Sequence, residues 1–181
     1  MLRQTNSPTD LSQTVIDSLE FSRQGRIMSG EVAVAALDRL ADVVVDSAGI
    51  LQIVLRGLPG EQRQDGKAGL RLEVSGCLKL RCQRCLQAMD YPLQLVSRML
   101  LVEDGGSWPD DDADGDVAGD ELEDEWDAIE ASREQSVLAL IEDEVLLALP
   151  IVPRHAACGL PVATENEYEP SPFAVLAKLK Q

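Results

Sequence analysis

Alternating apolar and polar positions dominate the middle of the chain. Leu70, Leu72, Val74, Leu78 and Leu80 are apolar, while Arg71, Glu73, Ser75, Cys77, Lys79 and Arg81 between them are polar. A period of two over that length predicts a long strand with one buried face. A second alternating run sets Tyr91, Leu93, Leu95, Met99 and Leu101 on one face, with Asp90, Gln94 and Arg98 among the opposing residues. The two runs are separated by Cys82-Gln-Arg-Cys85 and a few further residues, so an antiparallel hairpin with that tetrapeptide at its tip is the simplest arrangement. Upstream, the short branched run from Ile50 to Arg56, bounded by Gly49 and Gly57, predicts another strand.

Helical spacing is found in two places. Ser29 as N-cap, Glu31 in the first turn, and Ala33, Ala36, Leu37 and Leu40 as an apolar stripe predict a helix over 30–41. Ser132 to Gln135 has capping-box spacing, and Val137, Leu140, Ile141, Val145, Ala148 and Leu149 recur at helical intervals up to Pro150. This predicts the main helix over 134–149. Ser171 and Pro172 would open a last short helical turn through Phe173, Leu176 and Leu179. Residues 1–28 are polar and weakly patterned and read as an N-terminal arm with one docked segment from Val15 to Phe21. The expected fold is α+β. A small antiparallel β-sheet with strands near 50–56, 69–81 and 88–102 packs against one main helix, in a single domain over 29–181.

Charge refines this layout. The chain of 181 residues carries a formal charge of −16, yet thirteen of its acidic residues fall between Glu103 and Asp127, where there is no Lys or Arg. Such a segment repels itself, so a flexible, disordered acidic loop is expected over 103–127, inserted into a domain close to neutrality elsewhere. Its Asp110, Asp112, Asp114, Gly115 and Glu121 match a calcium-loop spacing. Glycines and a proline stand where the entering helix should be, which argues for a solvated loop instead. No N-terminal apolar segment and no membrane-length apolar stretch is found, so cytoplasmic localisation with reduced cysteines is expected.

Cys82-x-x-Cys85 and His155-x-x-Cys158 are two pairs of residue types that zinc prefers, each spaced to chelate, though 69 residues separate the pairs. Zinc is the candidate cofactor; reduced packing cysteines and a surface histidine are the alternative. Around the tip Lys67, Arg71, Lys79, Arg81 and Arg84 outweigh Glu73. Arg71, Lys79, Arg81 and Arg84 are therefore candidates for phosphate contact, although an ordinary solvated sheet face would look the same. With a single histidine and no nucleophile-elbow or phosphate-loop signature, no catalytic constellation emerges.

Three separated stretches, Cys82-Gln-Arg-Cys85-Leu86, Ile141 to Pro153 followed by His155 and Cys158, and Pro172 to Leu179, resemble the YceD-like family in order and spacing. The resemblance implies a non-enzymatic factor in the synthesis, processing or stability of 23S ribosomal RNA. The implied partner is large-subunit RNA or its precursor, with no membrane or DNA partner. Ribosomal proteins are further candidates: an acidic segment such as 103–127 would suit a module holding a basic ribosomal protein. Cys82, Cys85, His155 and Cys158 fall on the family's signature positions, and Cys77 lies outside them.

Overall fold

A computed structural model of the chain describes residues 9–62, 66–106, 108 and 126–159. The acidic segment, apart from its ends, and the expected turn at 172–179 lie outside the described residues. In chain order the elements are β1 (Val15–Ile16), α1 (Ser18–Arg23), β2 (Ile27–Ala33), β3 (Val44–Asp46), β4 (Ile50–Leu58), β5 (Gly69–Arg81), β6 (Ala88–Val102), β7 (Asp127–Glu130), β8 (Gln135–Ser136) and α2 (Val137–Ala148). Tight 3-10 turns at Val34–Ala36 and Arg39–Asp42 link β2 to β3.

The α+β class holds, but the sheet is larger than expected. Six strands share it in the order β2-β4-β5-β6-β7, with β3 on β5 beyond the end of β4. The β5–β6 hairpin is its spine, paired without a register break from Gly69 opposite Leu100 to Arg81 opposite Ala88. The sheet is also not purely antiparallel: β7 pairs in parallel with the last residues of β6, Met99 to Val102, at the end far from the hairpin turn. The run Asp127-Ala-Ile-Glu130 is too short to show a period, so its pairing could not be read from the pattern.

The helix expected over 30–41 is a strand followed by 3-10 turns. Seven residues of β2 pair with β4, and Met28, Gly30 and Val32 alternate inward. Gly30 is required because the carbonyl oxygen of Thr9 stands only 2.1 Å from where a Cβ would sit. The stripe of Leu37 and Leu40 is buried all the same, through the 3-10 turns. A ladder of cross-strand hydrogen bonds has outweighed a local helical preference.

The main helix starts later than its capping box suggests. Ser136 is the N-cap, its hydroxyl accepting from Ala139 N at 3.2 Å. Ser132 instead exchanges hydrogen bonds with Ser18: Ser18 N donates to the Ser132 carbonyl at 2.9 Å, and Ser132 N donates to Ser18 Oγ at 2.9 Å. Pairing of β8 with β1 occupies the residues between.

One face of the sheet is the core. Leu51, Ile53, Leu55, Leu70, Leu72, Val74, Leu78 and Leu80 meet Val137, Leu140, Ile141 and Val145 of α2 and the turn residues Val34, Leu37 and Leu40. Leu11, Ile16 and Phe21, from the expected arm, are buried in the same cluster. Buried Ser22 fastens α1 to two strands, donating to the Leu58 carbonyl at 2.7 Å and accepting from Gly69 N at 3.1 Å. A second fastening joins the 3-10 turn to α2: Glu142 accepts from Arg39 N, Leu40 N and Arg39 Nε at 2.6, 3.2 and 2.7 Å.

Candidate metal centre at the hairpin tip

The turn joining β5 to β6 wraps its own thiols. Cys82 N donates to the Gln87 carbonyl and Leu86 N to the Cys82 carbonyl, both at 2.9 Å. Leu86 takes a φ of 64° to close the turn. That left-handed conformation costs a residue with a Cβ about 1–2 kcal/mol, the sort of local strain that collects at functional sites. It leaves Cys82 fully buried and Cys85 half-buried beside it.

The chain leaving α2 is drawn against this turn. Leu149 and Pro150 end the helix, and the Pro153 carbonyl accepts from Gln83 N at 2.9 Å while the Ile151 carbonyl accepts from Gln83 Nε2 at 3.1 Å. His155 and Cys158 are thereby brought to the thiols. Cys82 Sγ lies 3.7 Å from Cys158 Sγ, and Cys85 Sγ lies 3.3 Å from His155 Nδ1. One ligand atom from each of the four residues lies within 4.8 Å of all the others.

These separations fit a tetrahedral ion. Zn–S bonds of about 2.3 Å and Zn–N bonds of about 2.0 Å place neighbouring ligand atoms roughly 3.5–3.8 Å apart. Three sulfurs and one imidazole nitrogen also form a closed donor set of the kind structural zinc takes. Arg84 completes the surroundings, donating through Nε to Cys158 Sγ at 3.0 Å and through Nη2 to the His155 carbonyl at 2.9 Å.

The electrostatics favour thiolate at the centre. Burial alone would raise the Cys82 thiol, but N–H groups of Cys85, His155 and Arg84 converge on the sulfur, with a further bond from the Cys85 side chain, and bring it down to about 5. Cys85 has one backbone donor, Gln87 N–H, which burial and the neighbouring Cys82 and Cys158 outweigh, so its thiol is raised. A first thiolate here opposes a second unless a cation joins them. The Arg84 guanidinium is held in its charged form chiefly by its bond to Cys158.

The four basic residues singled out on the hairpin do not form one patch. Arg71 and Arg81 lie ten positions apart on the same strand, roughly 33 Å at the usual rise. Lys79 bonds Asp90 across the hairpin at 2.9 Å and has Asp46 opposite it on β3. Arg81 is exposed at the end of β5, and Arg84 is turned onto the cysteines. Arg71 instead lies in register with Arg56 on β4 and Arg98 on β6. Arg56, Arg98 and Gln83 carry no signal of their own in the sequence; only the strand register and the approach of residues 151–155 single them out. Among the described residues no helix is long and apolar enough to cross a membrane.

Comparison with known proteins places the chain in a family. No solved structure matches the chain. A protein of Haemophilus influenzae named large ribosomal RNA subunit accumulation protein YceD is 28% identical over 178 residues, covering 92% of this chain and 94% of that protein. The model of the family described as large ribosomal RNA subunit accumulation protein YceD matches residues 70–180, from the start of β5 through all four cysteine and histidine positions. As that match covers more than half of its length, the chain belongs to the YceD family.

Proposed function

We propose that this protein is a non-enzymatic cytoplasmic factor that supports accumulation of large-subunit ribosomal RNA by contacting that RNA or its precursor directly. A zinc ion on Cys82, Cys85, His155 and Cys158 makes the contacting end rigid. The observation that carries the reading is the convergence of four metal-ligand side chains, from segments far apart in the chain, at the tip of a hairpin that ends in exposed Arg81. It is joined to the family description, which names large-subunit ribosomal RNA.

The donor set argues for a structural metal. Four protein ligands leave no open position for water or substrate, so such an ion orders the chain rather than activating a nucleophile. With three thiolates the zinc centre has a net negative charge, and Arg84 on Cys158 supplies the nearby positive charge that steadies the sulfurs. The ion would link the β5–β6 turn to the segment after α2, closing a loop whose entropy cost metal binding readily offsets.

Binding of a labelled 23S transcript by the purified protein tests the reading. Arg81→Glu should weaken binding and make its salt dependence shallower, because fewer counterions are released. Arg84 is unsuitable for this test, since its reversal would disturb the cysteines. Recovery of ribosomal proteins from extract, undiminished by nuclease and with no affinity for the transcript, would contradict direct RNA contact.

A further inference from the structure

The outer face of the sheet carries a row of like charges. Arg56 and Arg98 both stand directly opposite Arg71, so three arginines lie side by side across β4, β5 and β6, with Ile27 of β2 next in line. Adjacent strands are about 4.8 Å apart, which starts all three side chains within roughly 10 Å. Like charges directly opposite one another destabilise a sheet. One carboxylate is divided between two of them: Glu73 Oε1 is 3.6 Å from Arg56 Nε and 3.4 Å from Arg71 Nε. Arg71 Nε is shielded from solvent, yet makes no hydrogen bond, because the contact to Glu73 is out of line.

An aromatic ring lies beside the row. Gly69 precedes Arg71 by one position on the same face, and a Cβ there would come within 2.8 Å of the Trp126 ring. The indole therefore packs on the outer face, about 7 Å along the strand from the arginines. Guanidinium forks match phosphate oxygens in pairs, and an indole edge next to them suits a ribose or an unstacked base. An acidic peptide would use the charges alone, so the combination favours nucleic acid.

The geometry points to the Arg56–Arg71–Arg98 row as a phosphate-backbone site for structured RNA, with Trp126 as an adjoining stacking surface. This deepens the ribosomal-RNA reading, rests on it, and carries the contact from the hairpin tip down the face of the sheet. The three arginines, aligned by strand register, neutralise successive phosphates.

The test is a titration of a base-paired 23S transcript with the parent protein and with Arg56→Gln, Arg71→Gln and Arg98→Gln combined, across a salt series. The combined variant should lose about tenfold or more in affinity at low salt, and its log–log salt slope should be shallower by about 2.7. Circular dichroism and a cooperative melting curve check that the combined variant is folded. If the variant does not fold, the matching triple lysine variant decides: it keeps the charges and the slope but loses the forks, and should bind more weakly than the parent. Parent-like affinity and slope in the glutamine variant, or parent-like affinity in the lysine variant, would overturn the inference while leaving the ribosomal-RNA reading intact. Loss of binding to polyglutamate but not to the transcript would assign the row to an acidic protein and overturn it too. Failure of the parent to bind any transcript would remove both.

Discussion

Arg84 donates to Cys158 Sγ at 3.0 Å and to the His155 carbonyl at 2.9 Å, so a residue inside one Cys-x-x-Cys pair holds both members of the distant pair. Its guanidinium is geometrically part of the cysteine cluster and not a free cation at the tip. Arg84→Met should leave the sheet folded but weaken metal retention by about 10–100-fold, the usual cost of losing a group that orients ligands. Competition with a chromophoric chelator measures it. Unchanged retention in Arg84→Met would show that the contact to Cys158 is incidental.

Metal removal should loosen the tip and the segment at 150–159 before the rest of the sheet. Elemental analysis of protein purified without a histidine tag should give about one zinc per chain. Cys85→Ser should lower both the metal content and the melting temperature. Well-folded, metal-free protein that a chelator leaves unchanged would return the four residues to ordinary packing.

Two glutamates on α2 should respond to pH in opposite senses. Burial would raise Glu142, but the Arg39 guanidinium and the N–H groups of Arg39 and Leu40 outweigh it and hold the carboxyl below its usual range. Its contribution is present above the unfolded carboxylate range and is lost as pH falls through the lower folded value. Burial, with Asp127 and Asp143 nearby, raises Glu144 despite Ser97. Its protonated form is favoured, so what it contributes in acid is lost as pH rises through the higher folded value. Glu142→Gln should thus lower the melting temperature at neutral pH, with the difference shrinking in acid, whereas Glu144→Gln should raise it at neutral pH only. Melting curves of both variants at pH 7 and in acid check the two signs.

Phe21 is 2% exposed and packs in the same core as the sheet and α2. Phe21→Ala should destabilise the whole domain by about 3–5 kcal/mol, with a single denaturation transition. A small loss confined to the N-terminal residues would mean that α1 is only loosely docked.

The long strands were legible because each has one buried face: Leu70 to Leu80 and Leu93 to Met99 alternate cleanly, and the hairpin followed from them. The main helix was legible from its stripe, though its start was misplaced by the second serine, Ser136, which caps in place of Ser132. β2 was not legible, since Ala33, Ala36, Leu37 and Leu40 satisfy a helical period as well as a strand and turns, and only pairing with β4 decides between them. The metal-ligand residues could be named from spacing because chelating pairs are local. Their meeting depends on Gln83 and the carbonyls of Ile151 and Pro153, which no pattern announces. The arginine row was hidden for a related reason: Arg56, Arg71 and Arg98 are unremarkable until strand register aligns them.

Crosslinking of the protein to RNA in living cells, followed by sequencing of the attached fragments, tests direct contact with large-subunit RNA most directly. The account predicts fragments concentrated at a few positions of 23S ribosomal RNA or its precursor, depleted when Arg56, Arg71 and Arg98 are replaced by glutamine. Fragments spread over cellular RNA in proportion to abundance, and unchanged by that replacement, would contradict it.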